Sequence, residues 1–279
     1  MHKAMNTKSS INHGRQTPLY RHHPGRIPQP RPLRYLTHLH LLAGYPVFSS
    51  TLPSVGCSDK VTVEEDMAYI RNTMLLPVLD VEEQDVIMLM HSYSSIPCSP
   101  AAKSLSPAER KAEGKKTAVI GQIYQSALLV KGEKMEDGKE VDVKGAFGGE
   151  LPPHIRPEPE TNLLRCDDRI PPLFGDVSKD LAKVVAVSAL SQVMTSFTSP
   201  CPCATWDSEE YKGRVAFIRT LQDANIPLHV QDYMIKGTGM EWIFKDIDSG
   251  HFAHIAKPEE LTPILLELAR EFEALGKKE

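Results

Sequence analysis

The chain has 279 residues, 41% of them hydrophobic and 24% charged, with a net charge of −4. That is enough material for one sizeable core, and no run of about twenty apolar residues is present, which excludes a membrane-spanning helix. The charge is uneven. Residues 1–58 carry seven of the 32 Lys and Arg and no acid, so the rest of the chain sets 25 basic against 36 acidic side chains, a balance unsuited to gripping nucleic-acid phosphates.

Residues 1–34, rich in Pro, Arg and His, show neither a helical nor a strand period and read as a disordered basic tail. Its lack of acids also fits an organelle-targeting segment, but its prolines spoil the amphipathic helix such segments form. His22, His23, His38 and His40 have no Cys or acidic ligand nearby, so no metal site is expected there. The cysteines (57, 98, 166, 201 and 203) are odd in number, irregularly spaced and preceded by no apolar signal segment, which points to a reducing, cytoplasmic setting. Cys201 and Cys203 lack the second thiol pair of a zinc site.

Order is expected from residue 35 to 279. A helix closed by Gly44 leads to a short strand at Pro46–Ser49. Thr62 and Glu65 form a capping box for an amphipathic helix that places Met67, Ile70, Met74 and Leu75 on one face. A strand at Val86–Leu89, a short helix near 94–105 and a strand within 117–130 follow. From about 150 to 210, prolines crowd between helical pieces, as expected of a lid inserted into the domain. The strand–helix rhythm resumes with strands near 214–221 and 241–247, a helix between them and a closing helix after Pro258. Alternating strands and helices predict an α/β fold with a mostly parallel sheet covered on both faces.

In such a sheet the reactive side chains gather in loops at the carboxyl ends of the strands. Ser92, Asp223 and His251 each follow a predicted strand, in the order Ser…Asp…His. A serine hydroxyl needs a base, which His251 supplies. Asp223 would orient the imidazole, and the backbone N–H of Tyr93 would face the developing oxyanion. Taken singly, Ser92 reads as a turn or cap residue, Asp223 as an Asx turn and His251 as a solvated loop histidine; the ordered set is what carries the reading. Ser94 and Ser95 lie past the turn's apex, Asp246 and Asp248 are too near His251 to reach across it, and His91 is expected to line the pocket. Leu173, Phe174 and Trp206 are the lid residues expected to select substrate. No metal or organic cofactor is expected.

The segments around Leu41–Gly56, Val86–Lys116 and Asp246–Leu261 resemble a fungal and bacterial group of serine esterase-like α/β-hydrolases, distantly similar to plant methylesterases and hydroxynitrile lyases. The resemblance runs from about residue 39 to the end. It matches the group's His-Ser-Tyr-Gly-Gly element to His91, Ser92, Tyr93, Ser94 and Ser95. Its acid falls on Asp223, with Ile226, Pro227 and Gln231 after it, and its histidine on His251, ahead of Pro258, Glu259, Glu260 and Leu261. Ser94 and Ser95 replace paired glycines, and Met90 stands where many hydrolases have glycine. The group's opening apolar strand and its Val-Pro-Gly-Ala-Trp-His loop, which gives a second oxyanion donor, are replaced by "RHHPGRIPQPRPLRYL". Losing one such donor costs roughly 10²–10³ in turnover.

The expected activity is hydrolysis of a small apolar ester, thioester or lactone through an acyl-enzyme. Two alternatives keep the scaffold: an impaired hydrolase that only binds its ligand, and a lyase, isomerase or cyclase using His251 as acid–base group.

Overall fold

A computed structural model describes residues 33–132 and 140–276. Residues 1–32 of the basic tail, with the His22–His23 pair and all but the last four residues of the stretch replacing the opening strand and oxyanion loop, lie outside the described residues, as do residues 133–139 of the glycine-dotted segment.

The first element, α1 (Arg34–Leu42), ends in a turn whose Gly44 has φ 87°, a left-handed conformation open to glycine. The chain then runs extended and buried through Tyr45–Ser49 without joining a ladder, so the short strand expected at Pro46–Ser49 does not form among the described residues. Helix α2 (Val63–Tyr69) starts at the expected capping box, with Glu65 N donating to Thr62 Oγ1 and Thr62 N to Glu65 Oε2. It continues as wide π-type turns over Ile70–Leu75 and Pro77–Val81. Strand β1 (Val86–His91) outruns its apolar core by two residues and leads through a tight turn into α3 (Ser95–Ala101) and α4 (Pro107–Ala112). Strand β2 (Val119–Gln125) is buried along its whole length, as a central strand covered on both faces must be.

The insertion holds more than helices. Three short antiparallel strands, β3 (Arg156–Glu158), β4 (Leu163–Arg165) and β5 (Gln192–Val193), form a small sheet alongside α5 (Ile170–Phe174), α6 (Lys179–Ser188) and α7 (Thr195–Thr198). The main domain resumes with β6 (Val215–Thr220), α8 (Leu228–Gly237), β7 (Ile243–Ile247), α9 (Ala253–Ala256) and the long α10 (Pro258–Gly276).

The main sheet is all parallel in the order β1-β2-β6-β7. Its register aligns His91 with Gln125 and Gln125 with Ile218, so the strands end along one edge of the molecule. Met90, Tyr124 and Phe217 face a core shared with the helices after residue 63. Ile87, Ile123 and Ile218 face a second core, where α10 contributes Leu261, Leu265, Leu268, Ala269 and Phe272 at helical spacing. Among the described residues no helix is long and apolar enough to cross a membrane, and the five cysteines are unpaired.

Close seating of α10 on the sheet depends on Gly121, since a Cβ added there would overlap the ring of the fully buried Phe272. Gly121→Ala is expected to cost about 1–3 kcal/mol by overpacking in urea unfolding. Phe272→Leu in the same chain should recover part of that loss, giving a non-additive cycle. A Gly121→Ala protein as stable as the parent would contradict this seating.

Candidate active site

The turn after β1 holds Ser92 at φ 54°. A non-glycine residue in that left-handed region is strained, and surrounding contacts must hold it there. They are present. Ser94 Oγ donates to the carbonyl of His91 (2.8 Å) and accepts from the N–H of His91 (2.9 Å). Ser95 Oγ lies 2.7 Å from the carbonyl of Ser92 and 2.6 Å from that of Leu128 and shares its single O–H between them. The two serines that replace glycines therefore brace the turn. Met90 tolerates its place because it is fully buried in the first core.

Tyr93 begins the helical turn behind Ser92, where backbone N–H groups have no partner within the helix. Its side chain is anchored: the hydroxyl donates to Asp66 Oδ2 (2.9 Å) and the ring stacks on Phe197 at 5.2 Å. Asp66 also accepts from Ser54 N (3.0 Å) and Ser54 Oγ (2.5 Å). Burial raises the pKa of this carboxyl, and those hydrogen bonds oppose the rise.

Ser92, His251 and Asp223 come together although 159 and 28 residues separate the two contacting pairs. Ser92 Oγ lies 3.1 Å from His251 Nε2, and His251 Nδ1 lies 2.9 Å from Asp223 Oδ2. His251 and Asp223 are both buried, while Ser92 is half-buried. Burial alone would raise the Asp223 pKa. The hydrogen bond and charge of His251, with donors from Ser126 and the Ile226 N–H, outweigh it and hold the carboxyl below the usual range. Asp223 Oδ1 accepts from the N–H groups of Asn225 and Ile226, both at 2.8 Å. Asp246 is committed to Arg219, and Asp248 to Gln222 and Lys257.

Three further participants carried no signal in the sequence. Ser126, at the end of β2 with φ 46°, donates to Asp223 Oδ2 and sits 2.9 Å from His251 Nδ1. Asn225 places its amide Nδ2 3.1 Å from His251 Nε2. Asp176, on the insertion, accepts from Gly250 N (2.6 Å) and Ser249 Oγ (2.7 Å) and so fixes the loop carrying His251. Gly250 serves by leaving room for that carboxylate, which a Cβ would strike, and not by a positive φ.

Leu173 lines a cavity of about 230 Å³ together with Pro171, Asp176 and His251. Phe174 lies beneath it, buried against Phe252 at 4.8 Å. Trp206 does not join them. The chain has already returned to the main core at that point, and the indole packs 6.1 Å from Trp242. His91 is turned away from the serine: its Nε2–H donates to the carbonyl of His251 (2.9 Å), and its ring packs beside His254 and Phe252. Among the described residues no group of three His, Cys, Asp or Glu is placed to hold a metal.

Burial drives the pKa of His91 well down and that of His254 to about 3, with the charge of His251 adding to both shifts. Unfolded histidines titrate near about 6.5, so the stability tied to these neutral rings is full above that pH and is lost as pH falls. For His254 the loss between pH 6.5 and 5 should approach about 1.4 kcal/mol per pH unit. In urea unfolding His254→Phe should remove one ring's share of the slope; an unchanged slope would show that His254 protonates in the folded protein.

No family model matches the sequence, and no curated protein is detectably similar to it. Solved structures are similar in shape. A pyrethroid hydrolase from Sphingobium faniae is 20% identical with a TM-score of 0.60, over 86% of this chain and 92% of its own. Polyneuridine aldehyde esterase is 16% identical with a TM-score of 0.61, over 85% and 93%. The methylesterase MES16 from Arabidopsis is 18% identical with a TM-score of 0.55, over 85% and 92%. With its parallel sheet, its covering helices and these neighbours, the chain has the α/β-hydrolase fold.

Proposed function

We propose that this protein is a serine hydrolase that cleaves a small, largely apolar ester, thioester or lactone through an acyl-enzyme. The observation that carries the reading is the continuous hydrogen-bonded chain from Ser92 Oγ through the His251 ring to Asp223, set on a left-handed turn at the end of a parallel strand. Esterases and a pyrethroid hydrolase among the neighbours of similar shape support it.

The geometry supports the following steps. With Nδ1–H donated to ionised Asp223, the Nε2 lone pair of His251 faces the serine hydroxyl and takes its proton as Oγ attacks the carbonyl carbon. The tetrahedral oxyanion would meet the Tyr93 N–H. His251 then returns the proton to the departing alkoxide or thiolate, leaving the acyl group on Ser92. A water activated by the same imidazole releases the acid. Leu173 and the neighbouring prolines give the leaving or acyl group an apolar wall beside His251.

A second reading, binding without turnover, is favoured by one contact: the Asn225 amide competes with the Ser92 hydroxyl for the His251 Nε2 lone pair. Turnover of p-nitrophenyl acetate separates the two. The hydrolase reading expects hydrolysis by the parent that Ser92→Ala abolishes; a parent no faster than Ser92→Ala would leave only binding.

Ser126 acts as a positioning residue in this scheme, through its bond to the acid. A hydrogen bond to a charged group contributes about 1.5–3 kcal/mol, so Ser126→Ala should lower kcat roughly ten- to hundredfold with KM nearly unchanged. Ser126→Thr, which keeps the hydroxyl, should retain more activity than Ser126→Ala. Full activity in Ser126→Ala would remove Ser126 from the scheme.

A further inference from the structure

A second cavity, of about 250 Å³, lies behind the nucleophile turn, between α1 and Leu265 of α10 on one side and Ile70, Met74 and Cys98 on the other. Ser92, Asp223 and His251 do not line it. Its walls come from α1 (Thr37, His40), the extended segment after Gly44 (Ser49), the last residue of β2 (Gln125), and the rings of His91 and His254. Among the described residues lining it there is no Asp, Glu, Lys or Arg.

Four buried polar atoms of these walls have no hydrogen-bond partner: His40 Nε2, Ser49 Oγ, and both Oε1 and Nε2 of Gln125. The three residues are 2%, 6% and 0% exposed. Folded proteins rarely leave such atoms unpaired, because each has given up water for nothing. Here they gather on one cavity whose remaining walls are largely apolar. His40 Nδ1 donates to the carbonyl of Leu36 (2.8 Å), so its Nε2 is a lone pair seeking an N–H or O–H. The Gln125 carboxamide offers one donor and one acceptor side by side.

We propose that this cavity binds a small neutral molecule with an apolar body and a single head able both to donate and to accept, of the carboxamide or undissociated carboxyl class. A carboxamide head pairs with the Gln125 amide in both directions and can give a further N–H toward His40. An anion finds no compensating cation among the described lining residues, and burial keeps the His40, His91 and His254 rings neutral. A hydrocarbon without a head would leave all four polar atoms unpaired. The site goes beyond the proposed hydrolysis and does not depend on it, since no atom of the Ser92–His251–Asp223 chain lines the cavity. Its floor nevertheless touches that chain's supports: His91 holds the His251 carbonyl, and Gln125 precedes Ser126.

The test is a ligand-observed NMR titration of the full chain with benzamide, and with benzoate at pH 8 as the charged analogue. The parent and Ser92→Ala should bind benzamide saturably and alike, and benzoate at least tenfold more weakly. Gln125→Leu and His40→Phe should each weaken benzamide at least tenfold. Gln125→Leu is expected to fold with an undiminished Tm, because an apolar group in place of an unpaired polar one is neutral or stabilising; His40→Phe also gives up the Nδ1 bond to Leu36, so its fold is checked by circular dichroism and its binding is read only if the spectrum matches the parent's. No saturable binding to the parent, equal binding by Gln125→Leu and His40→Phe, equal affinity for benzoate, or loss of binding in Ser92→Ala would overturn the proposal. Because the readout is binding alone, a protein that hydrolyses nothing still passes or fails this test on its own terms.

Discussion

One carboxylate oxygen, Asp223 Oδ2, ties the ends of three strands together. It accepts from Ser126 at the end of β2, from Thr220 at the end of β6, and from His251 in the loop after β7. These donors approach from different parts of the chain, so they meet only when the sheet has closed in its observed register. The bond and charge of His251, with Ser126 on this oxygen and the Ile226 N–H on the other, outweigh the desolvation that would raise the carboxyl's pKa and hold it below the usual range. The orientation of His251 follows from this oxygen, and the reach of His251 Nε2 to Ser92 follows from that orientation.

The other half of the arrangement is backbone strain at Ser92. Left-handed φ at a non-glycine residue persists only when neighbours over-determine it, and Ser94, Ser95 and the Tyr93–Asp66 bond do so from within one turn and from α2. The insertion takes part as well. Asp176 grips Ser249 and Gly250, so the insertion and the histidine loop are joined. The same insertion lines the cavity beside His251 through Pro171, Leu173 and Asp176.

Much of this was legible in the sequence because each feature has a local signature. Apolar runs marked the strands of the main sheet, and the capping box at Thr62 and the spacing of α10 marked helices. Reactive residues fall after strands in such folds, which put Ser92, Asp223 and His251 in view together. What was hidden is what depends on contacts across the sheet. Ser126 is an ordinary serine after a strand until β2 and β6 pair and set it against a residue 97 positions away. The small sheet of the insertion has strands of two or three residues, one containing Pro157, too short for any period to show. The prolines before Trp206 suggest that it belongs with the insertion, whereas the indole packs in the main core against Trp242. The unpaired His40, Ser49 and Gln125 become visible only when three separate elements close on one cavity.

The hydrolase reading rests on Ser92 being an activated nucleophile, and covalent labelling reads that property without knowledge of the natural substrate. The parent protein treated with a fluorophosphonate and digested for peptide mapping should carry the label on Ser92, and Ser92→Ala and His251→Ala should carry none. Labelling that falls on another serine, or a parent that stays unlabelled while folded, would contradict it.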